Sequence, residues 1–222
     1  MTERETLARN DREKRSLEMT ERQTLARNDW KKLEMTGRNI AVYGGSFNPL
    51  HIGHLAVMKH MTEVAGYDCV YLIVSPKNPL KDGISGDSGP ERYEAALQAV
   101  QRHPGLKVKV DDIELHMPAP HYTIRTLDAL SEREPANRFT LIMGADNLAD
   151  IRRWRDYRRI LKEYGAAVFP RRGYDLPAIR QDLLSEDPSY RIELLKAEMV
   201  DISSTTIRNS IAAGEDASHW LM

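Results

Sequence analysis

A single cysteine stands among 222 residues. Cys69 has no partner for an internal disulfide, which excludes a disulfide-stapled scaffold and fits a reducing compartment. It opens the apolar run Cys69 to Ser75, where a lone thiol belongs in a core strand. Long hydrophobic runs are missing too: none approaches the ~20 residues of a membrane span, and the N-terminus lacks the apolar stretch of a secretory signal. The expected location is cytoplasmic, with no membrane partner. Charge of one sign is also scarce, because 32 Lys and Arg against 33 Asp and Glu leave a net charge of -1. Nothing in that balance draws the whole chain to nucleic acid, so no nucleic-acid partner is expected and any basic patch must be local.

What is present reads as one globular domain behind an extension. Hydrophobic residues make up 41% of the chain and charged residues 29%, an ordinary balance that can bury a sizeable core at this length. Residues 1–39 differ from the rest. MTERETLARND at 1–11 recurs at 19–29 as MTERQTLARND, and Met35, Thr36, Gly37, Arg38 and Asn39 echo the opening again. The segment holds 10 Lys and Arg and 8 Asp and Glu, with no proline, and suits a charged helix or solvated coil. An 18-residue offset is about five helical turns. Leu7 and Leu25 would then share a face, which leaves self-association or docking on the main domain open. Residues 40–222 form the second unit.

From Ile40 onward, short apolar runs alternate with helical patterns. Strands are expected at Ile40 to Tyr43, Cys69 to Ser75, Leu106 to Val110, Arg138 to Gly144, Ala166 to Pro170 and Arg191 to Ala197. Helices are expected around Leu55 to Val64, Glu91 to Gln101, Thr123 to Arg133, Asp156 to Glu163, Leu176 to Leu184 and Thr205 to Ala212. The alternation predicts an α/β fold, a Rossmann-like parallel sheet with helices on both faces. Ligands in such folds bind beyond the C-terminal ends of the strands. The loops after the first, second and fourth strands are therefore the places to search. Asp111, Asp112 and Glu114 read as a solvated turn rather than a metal site, and no protein metal site is expected.

One of those loops carries GGSFNPLHIGHL, residues 44–55. Gly44 and Gly45 allow a close approach of backbone to a ligand, Asn48-Pro49 turns the chain, and a helix opens near His51 to His54. Free N–H groups and the dipole at a helix start attract phosphate. His51 and His54, three apart, can converge on one anion, with Gly53 leaving room. A bland alternative makes one histidine a cap and the other a surface residue.

The H-x-G-H here resembles the nucleotidyltransferase superfamily that also contains the class I aminoacyl-tRNA synthetases. The resemblance sets the two histidines against the phosphates of ATP. It implies a second phosphate element far downstream, which Ile202, Ser203, Ser204, Thr205, Thr206, Ile207 and Arg208 resemble. There the serines supply an N-cap and phosphate donors, and Arg208 a charged fork. Pro118, Ala119, Pro120, His121, Tyr122, Thr123, Ile124, Arg125, Thr126 and Leu127 resemble the Pro-x-x-Tyr-Thr-x-x-Thr-Leu element of nicotinate-nucleotide adenylyltransferases. Met143, Gly144, Ala145, Asp146, Asn147 and Leu148 with Trp154 resemble their Gly-Ala-Asp element and following tryptophan. The likeness runs from about residue 38 to 211.

What the resemblance implies is specific. His51, His54 and Arg208 are the expected catalytic residues. Gly44, Gly45, Ser46, Phe47, Lys81, Asp146, Ser203 and Ser204 would bind ATP, Asp146 through the nucleotide's hydroxyl groups. Tyr122, Thr123, Trp154 and Arg155 would bind nicotinate mononucleotide, Trp154 by stacking on the pyridine ring. Leu80 stands where family members commonly carry a histidine. The chain also stops soon after the serine-threonine helix, where relatives often continue with another. The expected reaction is adenylyl transfer from ATP to nicotinate mononucleotide, with magnesium carried on the phosphates. A phosphopantetheine or nicotinamide-mononucleotide adenylyltransferase, or a nucleotide sensor without catalysis, are the alternatives. On this reading the repeat has no part in the chemistry. Deleting residues 1–34 should leave turnover unchanged in an adenylyl-transfer assay, and a crippled truncation would reject that.

Overall fold

All six expected strands form in the computed structural model, which describes residues 37–76, 88–197 and 202–222. They are Asn39–Gly45 (β1), Cys69–Val74 (β2), Val108–Asp111 (β3), Arg138–Gly144 (β4), Ala166–Phe169 (β5) and Ile192–Leu194 (β6). The tandem repeat and Lys81, with Leu80 beside it, lie outside the described residues. The strands make one sheet in the order β3-β2-β1-β4-β5-β6, and every neighbouring pair is parallel. β1 is central, with Ile40 beside both Cys69 of β2 and Phe139 of β4. The order reverses direction between β1 and β4, and that reversal opens a crevice at their C-terminal ends.

The two faces of the sheet build two cores, because successive side chains of a strand point to opposite sides. Ile40 and Val42 of β1, Tyr71 and Ile73 of β2, Leu141 and Met143 of β4, and Val168 of β5 face one way. They pack on Ile124, Leu127 and Leu130 of the helix Thr123–Arg133 and on Leu176 and Leu183 of Leu176–Glu186. Ala41, Val70, Leu72, Ile142 and Ala167 face the other way, onto Met58 and Met61 of Ile52–Glu63 and Ala96 and Ala99 of Gly89–Gln101. Each strand is apolar at consecutive positions for this reason, and β2 is buried along its whole length. In chain order the helices are Ile52–Glu63 (α1), Gly89–Gln101 (α2), Thr123–Arg133 (α3), Ala145–Ala149 (α4), Tyr157–Arg159 (α5), Leu176–Glu186 (α6) and Ser204–Ala212 (α7).

Two boundaries moved for identifiable reasons. The helix expected from Glu91 begins at Gly89, because Ser88 and Glu91 form a capping box: the Glu91 carboxylate accepts from Ser88 N at 2.6 Å and Ser88 Oγ accepts from Glu91 N at 3.4 Å. The helix expected at Asp156 to Glu163 is one α turn that widens into a π turn over Ile160–Tyr164. It starts from Asp156 in the left-handed region, at φ 52°.

Of the three acids after β3, Asp112 stays half-exposed beside His116 Nε2 at 3.1 Å, whereas Asp111 and Glu114 are buried rather than solvated. Asp111 is 3% exposed, and the Arg133 guanidinium donates to both of its oxygens, at 3.0 and 2.6 Å, with Lys109 Nζ at 3.3 Å. Glu114 is 5% exposed and accepts from Thr126 Oγ1 at 2.7 Å. Burial alone would raise the Asp111 pKa; the hydrogen bonds and charge of Arg133, with Lys109, outweigh it and hold the carboxyl below its ordinary range. The pair therefore stabilises the fold above the unfolded carboxylate pKa of ~3.9, and that stabilisation fades as pH falls. Arg133→Met should cost about 2 kcal/mol at neutral pH, discounted from the fully buried case because the arginine is partly exposed. In urea titrations the gap between wild type and variant should narrow below about pH 4.

Candidate functional site

β1 ends in Gly44 and Gly45, and the next residues turn sharply into α1. Phe47 adopts φ 45°, in the left-handed region that costs a bulky side chain energy. Packing holds it there: its ring lies edge-on to Tyr43 at 5.3 Å and to His54 at 5.1 Å between centroids, and it is 5% exposed. The carbonyls of this loop are taken by side chains from distant elements. The buried Arg92 of α2 donates to Ser46 O at 2.6 Å and, across the gap between strands, to Ser75 O and Pro76 O at 2.9 Å. Arg208 of α7 donates to Asn48 O at 2.6 Å, and Ser204 Oγ to Pro49 O at 3.1 Å. Ser203 caps α7, its hydroxyl accepting from Thr206 N at 3.1 Å.

His51 is the N-cap of α1. Its Nδ1 accepts from Gly53 N at 3.2 Å, and His54 Nδ1 accepts from His51 N at 3.2 Å, a capping box built from two imidazoles. The rings lie 3.7 Å apart, 31° from parallel. A nitrogen that accepts a backbone N–H carries a lone pair, so in each neutral ring the proton sits on Nε2. Burial lowers the pKa of both histidines, assisted for His51 by Arg171 and for His54 by His51 and then Arg171; His51 falls to about 4. Both are uncharged Nε2–H donors at neutral pH. Gly53 suits this packing, since a Cβ there would lie 3.0 Å from the His51 ring and 3.2 Å from Ile202 and would press on both side chains.

Both histidines line a cleft of about 430 Å³ at the C-terminal edge of the sheet. Tyr43 of β1, Met143 and Gly144 of β4 and Phe169 at the end of β5 form its floor, with Arg171, Arg172 and Lys196 at its rim. Asp146, in the first turn of α4, has Arg171 Nε at 3.7 Å and a buried Oδ1 with no hydrogen-bond partner. Gly144 leaves space for that carboxylate, because a Cβ would collide with Oδ1.

The sequence model of the cytidylyltransferase-like family matches residues 42–210. The chain is 38% identical over 177 residues to the probable nicotinate-nucleotide adenylyltransferase of Flavobacterium johnsoniae, covering 80% of this chain and 88% of the relative. It is 39% identical over 180 residues to that of Porphyromonas gingivalis, covering 81% and 87%. The chain belongs to the nicotinate-nucleotide adenylyltransferase family. Its fold is also that of the solved Plasmodium falciparum nicotinic acid mononucleotide adenylyltransferase complexed with NaAD, with a TM-score of 0.66 at 20% identity over 82% of this chain and 87% of that one.

Within this family member, the elements named from sequence separate into two groups. His51, His54, Gly44, Gly45, Ser46, Phe47, Ser203, Ser204 and Arg208 gather where β1, α1 and α7 meet, with Asp146 at the neighbouring strand end. Tyr122 and Thr123 start α3, and Trp154 and Arg155 follow α4; none of the four lines the cleft. Tyr122 and Trp154 are partly buried against the core on the α3 side. Ser203 caps α7 as expected, whereas Ser204 and Arg208 hold the loop through Pro49 O and Asn48 O, a duty that the local sequence does not signal. Arg171, Arg172 and Lys196 also line the cleft; they follow β5 and β6, where no glycine-rich or histidine motif marks a site in the sequence. The loop after β2 runs into residues outside those described.

The histidine cap makes a spectroscopic prediction. Two-dimensional ¹⁵N–¹H correlation of the imidazoles should show His51 and His54 as neutral Nε2–H tautomers at pH 7, His51 charging only near pH 4. Because the folded pKa lies below the unfolded ~6.5, these rings stabilise the fold fully above that value and lose the contribution as pH falls toward 4.

Proposed function

We propose that this chain transfers the adenylyl group of ATP to nicotinate mononucleotide, giving deamido-NAD and pyrophosphate. The observation that carries the chemistry is the double histidine cap: both Nδ1 atoms are spent on backbone amides, which leaves two Nε2–H groups for the cleft their rings line. The relatives' named activity supplies the substrate pair.

An oxygen of the mononucleotide's 5'-phosphate attacks the α-phosphorus of ATP in line. The new P–O bond forms as the bond from the α-phosphorus to the β-phosphate oxygen breaks, and the electron pair leaves with pyrophosphate. The attacking group is already an anion, so no general base is needed. Catalysis then rests on orientation and on donors placed where negative charge develops. His51 and His54 donate to the phosphates without adding fixed charge. Arg171, Arg172 and Lys196 at the rim supply the positive potential that two polyanions require. Arg208 and Ser204 act by holding the loop, Ser203 by capping α7. Asp146 accepts from ribose hydroxyls, a use that suits an Oδ1 with a loose ion pair to Arg171 at 3.7 Å but no hydrogen bond.

On the acceptor side, Tyr122, Thr123, Trp154 and Arg155 hold the mononucleotide, Trp154 stacking on its ring. Magnesium fits as a passenger on ATP, a hard cation content with phosphate oxygens and water. Carried on the phosphates, it would supply positive charge against the departing pyrophosphate. Among the described residues no helix is long and apolar enough to cross a membrane, and a reducing cytoplasm suits the lone buried Cys69.

Pyrophosphate release with ATP and magnesium should be fast with nicotinate mononucleotide and slow with nicotinamide mononucleotide or phosphopantetheine. Fast release with another acceptor would move the specificity, and none with any acceptor would reject the reaction. His54→Ala should lower turnover at least ~10²-fold, the scale of removing one preorganised donor; near-normal turnover would refute its role.

A further inference from the structure

Away from the cleft, Glu186 at the end of α6 gathers donors from both sides of Trp154. Its Oε1 accepts from the Tyr157 hydroxyl at 2.6 Å, the Tyr190 hydroxyl at 3.1 Å and Arg158 Nε at 3.2 Å, and its Oε2 accepts from Arg152 Nε at 3.1 Å. Asp182, one turn earlier on α6, takes Arg152 Nη2 at 2.9 Å. Arg152 precedes Trp154 by two residues, and Tyr157 and Arg158 follow it by three and four. The segment between Ile151 and Tyr157 is otherwise thinly anchored. Arg153 pairs with nearby Asp150 and Arg155 with its neighbour Asp156, both locally, and Asp156 sits at φ 52° where a non-glycine residue needs outside support. Only part of the Trp154 side chain reaches the core.

We propose that Glu186 is a positioning residue for the acceptor nucleotide, gripping the chain on either side of Trp154 and so fixing the plane of the indole on which the pyridine ring stacks. The inference rests on the stacking role assigned to Trp154 above. A planar partner binds well only if the aromatic face is already set at the right angle, because each degree of freedom left in the platform must be frozen on binding. A charged acceptor serves this better than apolar packing at so exposed a place: it is directional, and two arginines and two tyrosines reach it from different parts of the chain. The hydrogen bond from Tyr157 is the largest influence, and with those of Arg152, Tyr190 and Arg158 it outweighs the opposing effect of burial and pulls the Glu186 carboxyl down to about 2, so the anchor stays ionised at any working pH. The ATP cleft is lined by other elements, and its affinity should be indifferent to this anchor.

The test uses the full chain. Glu186→Gln keeps the size and an acceptor oxygen but loses the charge, and Arg152→Met with Arg158→Met breaks the grip from the other side. Either should raise KM for nicotinate mononucleotide roughly fivefold, with KM for ATP within about twofold of wild type. In a background with Trp30→Phe and Trp220→Phe, Trp154 is the sole tryptophan. Its fluorescence anisotropy should fall and its quenching by acrylamide rise when Glu186→Gln is added. Unchanged acceptor KM and anisotropy in both variants would overturn the proposal. So would equal rises in KM for both substrates, which would mark plain support of the fold. Trp154→Ala serves as the control: if it leaves acceptor KM unchanged, the stacking assignment itself fails, a result the Glu186 variants alone do not give.

Discussion

Two backbone amides at the start of α1 decide what both histidines can do. Serine, threonine and aspartate usually satisfy such amides, and their polar atoms are then used up. An imidazole has a second nitrogen on the far side of its ring, so it can cap a helix and still offer a donor outward. His51 and His54 cap reciprocally through a capping box, an arrangement that leaves room for the phosphate donation proposed for them. The price is that neither ring can carry a proton on Nδ1, which burial enforces by holding both neutral. Positive charge must come from elsewhere, and the cleft provides it at the rim, on Arg171, Arg172 and Lys196.

The loop that delivers these histidines is held by its carbonyls. Arg92 takes Ser46 O, Arg208 takes Asn48 O and Ser204 takes Pro49 O, each from an element distant in sequence. A loop restrained this way keeps a strained residue such as Phe47 in place without regular secondary structure. Arg92 also joins the ends of β1 and β2, so two adjacent loops share one buried guanidinium.

Most of the fold was legible because it rests on local pattern. Short apolar runs alternating with helical periodicity specify a parallel sheet, and all six runs became strands; ends shifted, as at the Ser88 cap, and the short helix Ala145–Ala149 and the π turn after Arg159 are too brief to show a periodicity. The loop after β1 was legible for a different reason, since glycines, a proline turn and paired histidines are all concentrated within a dozen residues. What stayed hidden depends on long-range pairing. Asp111 and Glu114 look like any acidic turn until Arg133 and Thr126 are folded over them. Arg171 and Arg172 look like a charged turn until β5 sets them beside the histidines. Glu186 is one of two acids in its helix, with nothing local to set it apart, and only the fold shows that residues 28 to 34 positions away converge on it.

The hydrogen bond between Arg208 and Asn48 spans 160 residues of sequence, and this sets the order in which the protein can become itself. A chain emerging from the ribosome releases β1 and its histidines first, and the sheet can begin to assemble as later strands arrive. The clasp on Asn48 has no partner until α7 has been made. Until then the growing polypeptide carries the histidine loop without the arginine that secures it, and the site is completed only after 160 further residues have been added.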